Sequence, residues 1–142
     1  MKHLKSYDIF EAKVFFKRIT TERLEDMLDT IDEMFTDAKD DGFHLSYSGT
    51  LLNLVISKPV NRGNNMYSNS FFKMKDISDT IYMMMSYLDT FSDVIKLESI
   101  EVSGKEAYWH RDKFKKKIER NSIDSIEDDL VQVHIIYKEL AN

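Results

Sequence analysis

Residues 21–42, TERLEDMLDTIDEMFTDAKDDG, constrain this chain more than any other stretch. Leu24, Met27, Leu28, Ile31, Met34, Phe35 and Ala38 recur at three- and four-residue steps, the period of one face of an α-helix. Glu22, Glu25, Asp26, Asp29, Asp32, Glu33 and Asp37 occupy positions between them. The spacing predicts one amphipathic helix with an apolar stripe and an acidic back. Thr20 or Thr21 can cap it by accepting from a backbone N–H of the first turn. Gly42 suits its end, where a residue with positive φ is favoured.

A chain of 142 residues is expected to form a single domain, 1–142, with enough apolar surface to fill a core. Nine Phe, seven Tyr and eight Met argue against disorder. The absence of cysteine excludes disulfide frameworks, thiolate nucleophiles and Cys-ligated zinc, and fits a reducing cytoplasm. No apolar run reaches the length of a membrane span, and the opening MKHLKSYDIFEAK lacks the apolar segment of a secretory signal. The net charge of −5 favours solubility and disfavours broad nucleic-acid binding.

Six further segments carry a reading. Residues 12–19 (AKVFFKRI) are β-branched and aromatic, and predict a strand. Residues 43–58 alternate about a Ser48-Gly49 pair and predict a hairpin, or one long strand bent at a glycine bulge. Pro59 ends that run, and residues 60–70 (VNRGNNMYSNS) read as a polar loop. A second helix is expected over 76–91, with Asp76 as N-cap and Ile77, Ile81, Met84, Leu88 and Phe91 on its apolar side. Residues 95–103 (IKLESIEVS) and 130–138 (LVQVHIIYK) read as strands.

The intervening segment is less regular. Ser103-Gly104 suggests a turn, residues 105–110 a returning strand or a helix start, and the charged run 112–129 one or two short helices. The first six elements are therefore those of an α+β, ferredoxin-like βαββαβ sandwich. Such a fold places two helices on one face of an antiparallel sheet, here with one or two extra C-terminal strands.

Residue usage adds a separate cue. Lys outnumbers Arg 15 to 5, Asn and Ile are plentiful, and there are four Gly and one Pro. With the opening MKxLKxYxxFE over residues 1–11, the chain resembles the uncharacterised small proteins of tailed bacteriophages. The resemblance implies a viral origin and a host-cytoplasmic setting; it implies no activity.

Catalytic patterns are fragmentary. His44-Leu45-Ser46 matches the H-x-[ST] half-motif of two-histidine phosphoesterases, but neither His110 nor His134 begins a second copy. His110-Arg111-Asp112 spells the kinase catalytic tripeptide without a glycine-rich loop or a DFG sequence. Glu11 and Lys13 form half of a nuclease metal site and lack the earlier Asp. No phosphate loop, nucleophile elbow or dinucleotide fingerprint appears, so no cofactor, no metal and no enzymatic activity is expected.

Charge is the remaining signal. Glu22, Glu25, Asp26, Asp29, Asp32 and Glu33 form the acidic back of the first helix, a candidate protein-binding surface for a basic partner, including a host protein. Asp37, Asp40 and Asp41 extend it to the helix C-terminus, where the macrodipole disfavours carboxylates unless a cation is near. Arg111, Lys113, Lys115, Lys116, Lys117 and Arg120 lie near Tyr108, Trp109 and Phe114, a pattern suited to phosphates and stacked bases. Opposite charges on one chain can also pair across a homodimer, with the Met83-Met84-Met85 run supplying adaptable contact. Protein interaction is the preferred expectation and nucleic-acid binding the alternative.

Overall fold

The computed structural model describes residues 19–48, 52–61, 63, 67–105 and 113–140. The expected strand at 12–19 and the segment 105–110 fall outside these residues, apart from Ile19 and Lys105 at their edges. Helix α1 runs Thr21–Met34 and the shorter α2 Thr36–Asp40. The Thr20 hydroxyl caps α1 by accepting from the Arg23 amide at 3.1 Å. The long helix read from the sequence is divided at Phe35, whose amide is shared between the carbonyls of Ile31 (3.0 Å) and Asp32 (3.2 Å). Gly42 closes the unit with φ of 94°.

Strands β1 (His44–Ser48) and β2 (Leu52–Ser57) pair antiparallel, as the alternation predicts. Residues 60–70 are not wholly loop. Strands β3 (Pro59–Asn61) and β4 (Tyr67–Asn69) form a small two-stranded sheet. Its base is closed by the Ser70 amide on the Lys58 carbonyl at 2.8 Å. A 3-10 turn at Met74–Asp76 then leads into α3 (Ser78–Asp89). Asp76 therefore does not cap α3; its carboxylate accepts from the Lys73 amide instead.

Strand β5 spans Ile95–Lys105, β6 Lys113–Ile118 and β7 Leu130–Glu139. Two sequence expectations are corrected here. Ser103-Gly104 lies inside β5 and is not a turn, and residues 113–118 of the charged run form a strand where helix was expected. Only the 3-10 helix Arg120–Ser125 answers to the helix expected there. Good helix formers line β6, but pairing with β5 satisfies its backbone and decides the outcome.

The main sheet has the order β1-β2-β7-β5-β6, every pair antiparallel. Strand side chains alternate between faces. Leu45, Leu52, Leu54, Ile56, Ile100, Val102, Val133, Ile135 and Tyr137 turn to one face and join the core with Leu24, Met27, Leu28, Ile31, Ile81, Met84, Met85 and Leu88. Tyr47 contacts α1 and Tyr137 contacts α3 from that same face, so both helices cover one side of the sheet. Met83 alone of the methionine run is turned to solvent, at 45% exposure.

The order of the strands differs from that expected. β2 and β5 run the same way, are joined over α3, and hold β7 between them. In a βαββαβ sandwich that position belongs to the first strand; here the C-terminal strand fills it.

Candidate functional site

The carboxylates of α1 divide by angle around the helix. Each residue turns the helix by about 100°, and Ile31 points into the core. Glu22, Asp26 and Glu33 stand on the far side and are exposed. Glu25 and Asp32 lie on one flank, Asp29 lies between that flank and the far side, and all three are half-buried. The opposite flank faces α3: the Arg23 guanidinium bonds Asp93 at 3.3 Å and lies 5.0 Å from the Phe91 ring centre.

Asp32, on the flank shared with Glu25, faces β1. The Tyr47 hydroxyl donates to Asp32 Oδ1 at 2.6 Å, and Lys39 Nζ approaches the same oxygen at 3.9 Å. Burial, then the bond to Asp32 and the charges of Asp32 and Asp29, hold the Tyr47 phenol protonated well above its ordinary range. Asp32, read from the sequence as part of an outward acidic surface, is thus also a structural acceptor. Asp37, Asp40 and Asp41 are exposed around the end of α2, with Lys39 in its last turn.

The described lysines of the basic segment divide between the two faces of β6. Arg111, Tyr108 and Trp109 lie outside the described residues, as does the side chain of Lys113. On β6, pairing places Lys115 and Lys117 beside Ser103 and Glu101 on the open face, and Lys116 beside Val102 on the other. Lys115 approaches Glu101 at 3.7 Å, Lys116 pairs with Asp128 at 3.1 Å, and Arg120 holds Asp89 at 2.7 Å. Lys116 also sits 5.5 Å from the Phe114 ring centre. A strand period of two splits lysines that a helix would have grouped.

The open face carries Ser46, Val55, His134, Glu101 and Lys117 in one transverse row, and His44, Ser57, Gln132, Ser103 and Lys115 in the next. His134 Nε2 lies 3.1 Å from Gln132 Oε1. Burial and the nearby Lys115 charge lower the His134 pKa, with Glu101 opposing. His44 and His134 share this face but are separated by β2, about 10 Å of sheet.

A second polar cluster was not legible from the sequence. Tyr137, fully buried, donates to Asp89 Oδ1 at 3.0 Å, and Arg120 grips both carboxylate oxygens of Asp89. Its members come from β7, α3 and a 3-10 helix, and no local pattern joins them. This cluster fastens the end of α3 to the sheet. Among the described residues, no group of three or more His, Cys, Asp or Glu side chains is placed to hold a metal ion, and no helix is long and apolar enough to cross a membrane. No protein-family model, curated protein or solved structure matches this chain.

Proposed function

We propose that this protein is a non-enzymatic interaction module that offers the carboxylates of α1 to a basic surface on another protein. One contrast carries the reading: the described cations Lys115, Lys116 and Arg120 are engaged by acids of the same chain, whereas Glu22, Asp26 and Glu33 stand exposed along α1. Desolvating a surface already neutralised by its own partners offers a polyanion little, while an exposed row of one sign steers an oppositely charged partner. In the phage setting suggested by the opening residues, that partner is a host protein with a basic face, such as a nucleic-acid enzyme.

The test is capture from bacterial lysate by the intact chain and by a variant carrying Glu22→Gln, Glu25→Gln, Asp26→Asn, Asp29→Asn and Glu33→Gln. A partner retained by the first and lost by the second, in a salt-sensitive manner, supports the reading. Equal retention, or none by either, overturns it. Light scattering with and without single-stranded nucleic acid checks the two other expectations, a homodimer and a nucleic-acid-binding module. The exposed Lys117 beside Lys115 on the open face is the feature that favours the second.

The architecture admits a finer proposal: a ferredoxin-like sandwich in rearranged order. What supports it is the sequence β7-α1-β1-β2-α3-β5, which becomes βαββαβ if the chain is read from its last strand. Both ends of the described unit reach the turn at residues 91–94. Leu140 donates to the Val94 carbonyl at 2.8 Å, and Arg23 contacts Asp93 and Phe91.

A further inference from the structure

We propose that Met83 is a redox-modification site: hydrogen peroxide converts its thioether to the sulfoxide, turning an apolar spot on α3 polar while the fold stays intact. This goes beyond the acidic-helix reading and does not depend on it.

The run Met83-Met84-Met85 holds one accessible sulfur and two internal controls. Each residue turns α3 by about 100°. Met84 and Met85 therefore fall to either side of the direction in which Ile81 enters the core, and Met83 falls nearly opposite it. Met84 and Met85 are 0% and 1% exposed, whereas Met83 is 45% exposed. Of the other described methionines, Met27 and Met74 are buried to the same degree, and Met34 is half-buried against the core. Met83 is thus the described thioether that a dissolved peroxide reaches without any opening of the fold.

The sulfur lone pair attacks the peroxide O–O bond. One oxygen becomes bound to sulfur, which is oxidised by two electrons; the other is reduced and leaves as water with both peroxide protons. A sulfoxide on Met84 or Met85 would bring a polar oxygen into the core, where leaving it unpaired is costly. On Met83 water satisfies it. Tyr87, one turn along α3, is half-buried and packs edge-on against Phe91 with ring centres 5.2 Å apart. Oxidation therefore places the new polar group beside an aromatic pair on the outer side of the helix layer. The lesion is reversible in kind, because methionine sulfoxide reductases restore the thioether.

The experiment treats the full 142-residue chain with dilute hydrogen peroxide at neutral pH, in buffer and in urea. Fragment-ion mass spectrometry then reads each methionine separately. In buffer the sulfoxide is expected to form about tenfold faster at Met83 than at Met84 or Met85, and ahead of Met34. In urea the difference should vanish. Protein oxidised at Met83 should keep its urea midpoint, and a methionine sulfoxide reductase should return it to the starting mass. Met83→Leu should remove this product and leave the rates at Met34, Met84 and Met85 unchanged. Equal rates at Met83 and any of those three in buffer would overturn the proposal. So would a preference for Met83 that persists in urea, since local sequence would then explain it. A lowered midpoint on oxidation at Met83, or a sulfoxide that the reductase leaves in place, would overturn it as well.

Discussion

The Tyr47 hydroxyl and the Asp32 carboxylate, 2.6 Å apart, tie β1 to α1. Asp32 is mostly screened from water, its side chain 22% exposed, so the bond is charge-assisted and only partly weakened by solvent. Tyr47→Phe is expected to destabilise the protein by about 1–2 kcal/mol, measured by urea unfolding. Asp32→Asn, which keeps an acceptor, should cost less. A cost for Tyr47→Phe no greater than for an exposed tyrosine would remove the tie.

The same bond has a consequence in alkali. The folded state keeps Tyr47 and Tyr137 protonated above their ordinary value of 10.0, Tyr137 through burial and its bond to Asp89. Their contribution is complete below pH 10 and declines as pH rises past it, because the unfolded chain loses those protons first. Ultraviolet titration of phenolate should show these two tyrosines ionising together with unfolding, and Tyr47→Phe should reduce the steepness of the stability loss.

Asp89 serves a buried hydroxyl and a guanidinium at once. Its own side chain is 39% exposed and that of Arg120 44%, so the ion pair contributes little after solvent screening. The larger cost of Asp89→Ala is the acceptor lost by Tyr137, whose hydroxyl then has the Met85 carbonyl at 3.4 Å as acceptor and the Arg120 guanidinium at 3.4 Å as donor. A destabilisation of about 2 kcal/mol is expected. Arg120→Ala should cost markedly less, and equal losses in thermal unfolding would contradict this division.

Gly104 permits a close crossing. A Cβ there would strike the Asp129 carbonyl oxygen and lie 2.8 Å from Phe114 Cε1. Backbone cannot give way as a flexible side chain can, so Gly104→Ala should destabilise by roughly 1–3 kcal/mol. Ser103→Ala, one residue away on the open face, is the control expected to change little.

Lowered basicity at His134 predicts a dependence on acid. Its folded pKa lies below the ordinary 6.5, so its contribution is present above that pH and is lost as pH falls toward the folded value. His134→Gln should flatten the decline in stability on acidification from neutrality. An NMR titration placing the His134 pKa at or above 6.5 would refute it.

Rearranging the chain tests the relation of β7 to a first strand. Joining Asn142 to Met1 and opening the chain at Glu127 places β7 ahead of α1. The permuted protein is expected to unfold cooperatively and to retain the pairings of β7 with β2 and β5, read from cross-strand NOEs. Loss of those pairings in a folded product would sink the proposed relation.

Local pattern explains what was legible beforehand. The period of α1, the alternation of β1, β2 and β7, and the cap at Thr20 each depend on neighbours within a few residues, and each appears in the structure. β6 escaped because KFKKKI has no clean alternation and is rich in helix formers; its identity comes from a partner strand. Gly104 was misread for a related reason. A glycine marks a turn or a close approach, and only the position of Asp129 and Phe114 distinguishes the two.

For the candidate site, the sequence determined which residues are acidic and that they lie away from the apolar stripe, because helical geometry alone sets those angles. Tertiary packing decided that Asp32 meets Tyr47 of β1, that the lysines of β6 divide between two faces, and that β7 lies between β2 and β5. Those outcomes depend on which strand lies beside which. Contacts between residues distant along the chain are chosen by the burial of the whole core, and no local period encodes them.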